Sequence, residues 1–432
     1  MNFLEIPKCR VNSGYEMRKD RSNQKYTEAV TNGHYDLYQG GLSGKYDNVR
    51  IYWEDQIRGI MLRPYLRSMV DRKKKEGGRV RIVDLGAGSG EGLRLLTSWI
   101  RQEADLRLNR AKVLPYEMIE TYIGCDLNEA MVVQGNANYA DQPNVIFHQG
   151  DFSNGFPLKD EEPFDLYCCS YGSFSHIDDR AMERLLMEIV EHATNRALVV
   201  GEWLGRHSIE WPCYWEESGN RMLDYSMSWL PTKMRSENEP EHFPMRFWLG
   251  KEIRSLVDQV ARNTKARIRI LELYDCSIFV GRHVNTGEYT CSVGPIRSSV
   301  NRLHESNLRT DLEDLKVDLT PVEGHNELNN YFFNLQFCWN NLVDYCQRRL
   351  ERRQHPVQTE HFRSFPPALQ MAMMTLDRVI DTAAWMRMGD PRANIIEPQL
   401  GYALRSLERE VQQGAGRGHA LIGVFEIRRK AR

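Results

Sequence analysis

The residues of this chain best suited to chemistry begin with Asp84-Leu85-Gly86-Ala87-Gly88-Ser89-Gly90, followed by Asp126 and then Asp151. Glycines let a chain turn sharply and let a ligand approach the backbone where a Cβ would clash. A carboxylate buried beside such a turn needs several donors, which backbone amides and a bound ammonium can supply; alternatively, Asp84 only caps the loop. The spacing excludes a dinucleotide fingerprint, which needs GxGxxG: counted from Gly86 the last position is Glu91, and from Gly88 it is Leu93. Further along, Ser170 and Tyr171 follow an apolar run, and His176, Glu202 and His207 are candidates to act as a base or to orient an acceptor.

The surrounding sequence describes elements that can position these groups. Val80-Arg81-Ile82-Val83-Asp84-Leu85 is a β-branched run that breaks into the glycines and then into a helical stretch, Glu91 to Ile100. Further strands are expected at Tyr122 to Asp126, Val145 to His148, Phe164 to Cys169 and Arg196 to Val200, with helices at Asn128 to Asn138 and Arg180 to His192. Alternating β and α elements imply a mostly parallel sheet covered on both faces. Ligands of such sheets bind at the carboxyl ends of the strands, where the strand order reverses.

Asp84 to Gly90 resembles the first motif of the class I, Rossmann-like S-adenosylmethionine-dependent methyltransferases, and its companions follow in the family's order. Asp126 ends the second strand, where the resemblance implies an acid on the ribose hydroxyls. Leu127-Asn128-Glu129-Ala130-Met131 resembles the segment in which Leu127 and Met131 flank the adenosine. In Gly150-Asp151-Phe152, Asp151 corresponds to the acid on the adenine amino group and Phe152 to the apolar neighbour of the ring. The implied cofactor set is therefore Asp84, Gly86, Ala87, Gly88, Gly90, Asp126, Leu127, Met131, Asp151, Phe152 and Ser170. Each retains a simpler alternative: Asp126 and Asp151 are also ordinary turn acids, and Met131 could be core. In the family the end of the fourth strand borders both the methionine moiety of the cofactor and the acceptor, so the resemblance makes Ser170 and Tyr171 candidates to line the reaction centre; His176 sits where many family members carry a histidine without using it, and Asp178 and Asp179 read as helix caps.

The resemblance covers residues 61–287 and implies a seven-stranded core. Lys251 to Arg262 reads as its last crossover helix, and Ala266 to Tyr274 with Ser277 to His283 as a terminal strand pair. An aromatic stretch within 203–248, including Trp203, Trp211, Tyr225, Trp229 and Phe243, reads as a substrate lid or as packing against the rest of the chain. Residues 1–60, with His34 to Tyr38, Gly40-Gly41 and Lys45 to Trp53, form either a lid over the ligands or a docked helix. Residues 288–432 carry apolar stripes at helical spacing over Leu328 to Leu350, Leu369 to Met388 and Leu400 to Val411, and a final strand at Ala420 to Ile427. This mainly helical C-terminal part resembles no known family; its stripes read first as core and second as a homodimer interface.

The chain has 432 residues and a formal net charge of −2. No global basic field exists to draw in a phosphate backbone, so nucleic acid is disfavoured. Arg72-Lys73-Lys74-Lys75 reads as a solvated helix end. The nine cysteines form no CxxC pair and no cluster with metal-ligand spacing, a pattern that suits free thiols in a reducing cytoplasm. No run approaches a membrane span of about 18 apolar residues. Methyl transfer from a sulfonium is an in-line displacement that needs alignment, desolvation and sometimes a base, and no metal. The expected acceptor is the oxygen or nitrogen of a small molecule. A protein or RNA methyltransferase docking through residues 288–432, and a non-catalytic S-adenosylmethionine binder, remain as alternatives.

Overall fold

A computed structural model describes residues 15–36, 47–101, 111–217, 219–226, 242–282, 296–351 and 360–429. Leu37, Tyr38, Gly40, Gly41, Lys45 and Tyr46 of the expected lid, Trp229 and His283 lie outside them.

Helix α1 (Tyr15–Thr31) is followed by α2 (Asp55–Lys75), which leads into the sheet. The units then alternate as β1 (Val80–Leu85), α3 (Glu91–Ser98), β2 (Ile119–Asp126), α4 (Glu129–Asn138), β3 (Val145–Gln149), β4 (Leu166–Cys169), α5 (Asp179–His192) and β5 (Ala197–Gly205). An antiparallel pair, β6 (Met222–Ser226) and β7 (His242–Trp248), precedes α6 (Gly250–Thr264) and β8 (Arg267–Cys276). Then come α7 (Ile296–Arg302), α8 (Asn326–Leu350), α9 (Glu360–Ser364), α10 (Pro367–Ala383) and α11 (Glu397–Val411), and last β9 (Ala420–Arg428).

The strands β1 to β5 are parallel, in the order β3-β2-β1-β4-β5. Strand β9 pairs antiparallel with β5, and β8 pairs antiparallel with β9, so the seven-stranded run continues β5-β9-β8, with β9 its single reversed strand and β8 at the edge parallel to the rest. The chain thus reverses its strand order between β1 and β4, and the carboxyl ends of these strands open the crevice in which such sheets bind ligands. All positions of β4 and β5 are buried, as strands covered on both faces require. On α5, Met182, Leu185, Leu186, Ile189 and Val190 are buried at helical spacing and join the strand residues Val83, Ile123, Tyr167 and Val199 in one core. The opposite face of the sheet is covered by α2 and α3.

The sheet differs from the expected one in its last pair. Residues 277–282 form no strand. The backbone N–H groups of Phe279 (2.6 Å) and Val280 (3.3 Å) donate instead to the carboxylate of Glu408 on α11, whose other oxygen accepts from Trp53 Nε1 at 2.9 Å. With its donors spent on a helix side chain this segment has no ladder to join, and the place beside β5 falls to Ala420–Arg428. Residues 277–419 are therefore inserted between the last two strands of the sheet, and the expected boundary at 287 falls inside this insertion. Its helices share one core with α2: Trp53 and Trp339 rings lie 6.0 Å apart, and Leu335, Leu342, Leu376 and Leu404 are buried in the same cluster.

Strand β5 also runs further than expected, through Trp203 to Gly205, and Phe247 and Trp248 of β7 pair with its end. The aromatic stretch is thus partly strand. Among the described residues no helix is long and apolar enough to cross a membrane, and no group of three or more His, Cys, Asp or Glu residues could hold a metal ion. Six of the cysteines among the described residues are free and buried, whereas Cys213 is disulfide-bonded, against the expectation of free thiols.

Candidate active site

The turn after β1 is fixed by its neighbour strand: the N–H groups of Gly86 and Ala87 donate to the carbonyl of Cys125 at 2.8 and 3.1 Å. Gly86 (φ 69°) and Gly88 (φ 53°) adopt the left-handed conformation that side chains disfavour. A Cβ on Gly86 would come within 2.6 Å of the Ser173 Cβ, so that glycine serves packing. A Cβ on Gly88 would meet no protein atom nearer than Met131 Sδ at 4.0 Å and would project into open space.

That space is a cavity of about 250 Å³ at the strand ends. Asp126 ends β2 on its wall, accepting from the N–H groups of Gly88 (2.8 Å) and Asn128 (2.9 Å), so one carboxylate ties the turn to the next helix. Asp151 caps the turn after β3, accepting from Ser153 N–H at 2.9 Å, and also borders the cavity. Gly86, Ala87, Leu127, Met131, Phe152 and Ser170 line it as well. Helix α1 lies over this end: Asn23 and Thr27 accept from Asn128 Nδ2 at 2.7–2.9 Å, Ser89 Oγ donates to the Tyr35 carbonyl at 2.6 Å, and Tyr26 and Tyr35 close the wall.

Asp84 and Gly90, expected at the cofactor, do not line the cavity. Side chains alternate along a strand, and Asp84 points with Ile82 toward the face covered by α2 and α3, where its Oδ2 accepts from Tyr122 OH at 2.7 Å. Burial, only partly opposed by the Tyr122 hydroxyl and the Cys168 thiol, pushes the carboxyl up to about 7. The Cβ direction of Gly90 is filled by the Tyr139 ring, at 2.4 Å, so Gly90 permits packing behind the turn.

The other end of the cavity is built from charged and aromatic side chains. Tyr171 takes a left-handed φ of 59°, a strained conformation for an aromatic residue. The guanidinium groups of Arg50 and Arg58 lie over its ring, 3.7 and 4.7 Å from the ring centre. Arg58 makes two hydrogen bonds to Glu202 (2.6 and 3.0 Å), and Arg50 pairs with Asp55 (2.9 Å) and Glu91 (3.6 Å). Nη1 of each arginine is buried without a hydrogen-bond partner among the described residues, where both side chains border the cavity.

This geometry constrains the expected bases. Burial alone would raise the Glu202 carboxyl, but pairing with Arg58 holds it below its usual range, so Glu202 is a committed ion-pair partner. Burial, with Asp55 adding to it and Arg50 opposing, raises the Tyr171 phenol well above its ordinary value and keeps it protonated. His176 borders the cavity but stacks on Phe243, with ring centres 5.4 Å apart and planes 8° from parallel. His207 lies outside the cavity: the chain turns away after Gly205, and the His207 N–H donates to the Gly416 carbonyl at 2.8 Å. Burial and then the Arg206 charge lower its imidazole to about 4.

Sequence reasoning missed Arg50, Arg58, Arg282 and His419, which all line the cavity. His419 precedes β9 and pairs through Nδ1 with Glu210 Oε2 at 2.5 Å. The available signal was Gly414-Ala415-Gly416-Arg417-Gly418, a turn-forming run directly before a strand.

Residues 111–195 match the family model of a methyltransferase domain. No curated protein matches the chain. Among solved structures, the chain is similar to the complex of the Haloferax volcanii Trm112 methyltransferase activator with a methyltransferase (18% identity, 47% of this chain and 66% of that one, TM-score 0.30). It is also similar to phosphoethanolamine N-methyltransferase 1 of Haemonchus contortus bound to phosphoethanolamine and S-adenosylhomocysteine (13%, 62% and 46%, 0.33). A third is CalS10, an amino pentose methyltransferase of Micromonospora echinaspora bound to S-adenosylmethionine (12%, 61% and 94%, 0.31). The chain spans 66% and 46% of the first two, and scores this low carry no weight for acceptor or reaction. The parallel sheet with its single reversed strand, the glycine turn at its switch point and the matched segment define a Rossmann-like ligand-binding domain. Within that architecture, the segment 111–195 is similar to a methyltransferase domain.

Proposed function

We propose that the chain transfers the methyl group of S-adenosylmethionine to an oxygen or nitrogen of a small-molecule acceptor. One observation carries this reading: a single cavity joins the glycine turn and Asp126 to a chamber walled by Tyr26, Tyr35, Tyr225, Phe243 and Met245. The open space beyond Gly88, which a Cβ would fill, fits a cofactor lying against the backbone. When bound, the cofactor supplies a sulfonium methyl group for in-line displacement.

In this reading Asp126 accepts from the ribose hydroxyls, Asp151 from the adenine amino group, and Leu127, Met131 and Phe152 flank the base. The Nη1 atoms of Arg50 and Arg58, which lie 3.6–3.9 Å from the Glu54 and Asp55 carboxylates without a hydrogen bond, would face the cofactor's carboxylate, and Glu91, paired with Arg50, its ammonium. Ser170 and Tyr171 border the reacting centre, and the aromatic walls exclude water from it. The test is saturable binding of S-adenosylmethionine and S-adenosylhomocysteine to the purified protein, followed by radiolabelled methyl transfer to pooled small hydroxyl and amine compounds. Binding with no transfer to any pool contradicts the acceptor assignment.

A further inference from the structure

We propose that the chain carries a second ligand site, at the end of the sheet opposite the glycine turn, that binds a small molecule bearing linked phosphate groups. A cavity of about 260 Å³ lies there between α2 and the strands β5, β8 and β9, and it shares no lining residue with the cavity at the strand ends. Arg72, Arg196, Arg269 and Arg428 line it together with a single carboxylate, Glu426. Arg72 lies in the last turn of α2, Arg196 directly before β5, Arg269 near the start of β8 and Arg428 at the end of β9, so separate segments deliver each guanidinium group. Arg72 opens the basic run at the end of α2; Lys74 and Lys75 of that run are exposed, whereas the Arg72 side chain is 18% exposed and donates to the Arg196 carbonyl at 3.2 Å.

The strand register shows why these charges are not cancelled within the chain. Arg269 of β8 stands opposite Glu426 of β9, and Arg267 stands opposite Arg428. An opposite pair such as the first would ordinarily join, and like charges facing each other across a sheet destabilise it. Glu426 is instead bonded through one oxygen to Arg196 Nε at 3.3 Å and through the other to Arg428 Nε at 2.7 Å. Burial alone would raise its carboxyl, but these two guanidinium groups hold it below its usual range. Arg269 is left exposed, with no ion pair or hydrogen bond among the described residues.

Arg196 is also held in a backbone conformation that side chains disfavour, with φ 68°. Such strain persists only where the surroundings fix it, and it recurs at ligand clamps. Here the Arg196 N–H donates to the Ile427 carbonyl at 2.8 Å, and its own carbonyl takes the Arg72 hydrogen bond.

The chemistry of the cavity selects its ligand. Glu426 engages Arg196 and Arg428 through Nε, so the terminal nitrogens of both, like the whole guanidinium of Arg269, have no protein acceptor among the described residues. Guanidinium forks match phosphate oxygens with two N–H groups per contact. The donors of these arginines exceed what the oxygens of a single phosphate group can accept, which favours linked phosphates. Met69 and Leu198, both buried, and Leu271 supply an apolar floor that keeps water from part of the contact and strengthens it. A bound polyanion also offsets the repulsion between arginines that Glu426 alone leaves uncompensated.

The experiment titrates the full chain calorimetrically with orthophosphate, pyrophosphate and tripolyphosphate at low ionic strength, with citrate as the carboxylate control. Pyrophosphate should bind saturably and about tenfold more tightly than orthophosphate or citrate, the worth of an added charge-assisted contact, with tripolyphosphate tighter still. Arg269→Glu should weaken pyrophosphate by about 100-fold. Arg254→Glu, the same change of charge at an exposed position on α6, should alter it by less than about threefold, because salt screens a distant exposed charge. Thermal unfolding separates a ligand contact from a structural one. Pyrophosphate should raise the Tm of the wild-type protein, and Arg269→Ala should lose that rise while its Tm without ligand equals or exceeds that of wild type, since the substitution removes repulsion. Absence of saturable pyrophosphate binding, binding unchanged by Arg269→Glu, equal weakening by Arg254→Glu, or an Arg269→Ala variant destabilised without ligand overturns the site. Orthophosphate or citrate binding as tightly as pyrophosphate overturns the ligand class.

Discussion

At one end of the cavity the walls are largely backbone: the turn at Gly86 to Gly88, the ends of β2 and β3, and two carboxylates that hold nearby N–H groups. At the other end they are side chains, and many of them are charged. Asp47, Glu54, Asp55, Glu91 and Glu202 meet Arg50, Arg58, Arg282 and Arg297 in a connected, mostly buried network. Burial alone would raise Glu54, yet Arg282, Arg297, Arg50 and Arg58 together hold it well below the usual carboxylate range. The first end takes its shape from chain geometry, so it can receive a cofactor common to a whole family. The second takes its shape from pairs between distant segments, and a change in any segment reshapes the acceptor space.

The largest expected effect breaks the charged end. Glu202→Ala leaves the Arg58 guanidinium in the interior without its two hydrogen bonds, and losing one partner of a buried pair costs about 3–5 kcal/mol. Denaturant unfolding should show that loss; a change under about 1 kcal/mol, as for a surface pair, would mean the network does not hold this end. Next is the backbone end. Gly88→Val places a branched side chain where only cavity lies, and should weaken S-adenosylhomocysteine binding by about 100-fold, equivalent to roughly 2.7 kcal/mol, with a strain cost to stability of about 1–3 kcal/mol. Unchanged binding by calorimetry would put the ligand elsewhere.

The smallest effects are pH dependences of opposite sign. The Asp84 carboxyl is raised to about 7 in the folded chain, so its contribution to stability is complete below its unfolded value near 3.8 and is lost as pH rises through 7. Wild type should therefore lose stability relative to Asp84→Asn across that window. His207 is lowered to about 4, so its contribution is present above 6.5 and is lost as pH falls through 4. Wild type should lose stability relative to His207→Gln on acidification. Parallel slopes in the two comparisons would contradict the burial assigned to one of these groups.

The same contrast sets what the sequence reveals. The order of β1 to β5, the glycine turn, Asp126 and Asp151 are legible because each is a local pattern of a few residues: a β-branched run, a turn and an acid after a strand. Asp84 belongs to the same motif, but sequence spacing does not say which face of the sheet a side chain takes, and it lies behind the turn. The surroundings of the candidate bases are not legible for a different reason. Glu202 is committed to Arg58, 144 residues away, and the pairing of His419 with Glu210 spans 209 residues; no local pattern carries such a contact. The last strand pair was misplaced because residues 277–283 look as apolar and β-branched as β9 does. What decides between them is Glu408 on a helix far along the chain, which takes the backbone donors of Phe279 and Val280.

The central claim, that the backbone end of the cavity is an S-adenosylmethionine site, is tested most directly by calorimetric titration of the protein with S-adenosylmethionine and S-adenosylhomocysteine, repeated on Asp126→Ala. Both ligands should bind saturably, and the substitution should weaken them about 10- to 100-fold, the loss expected for hydrogen bonds to a charged acceptor. Absence of saturable binding to the folded wild-type protein, or equal binding by the variant, would contradict it.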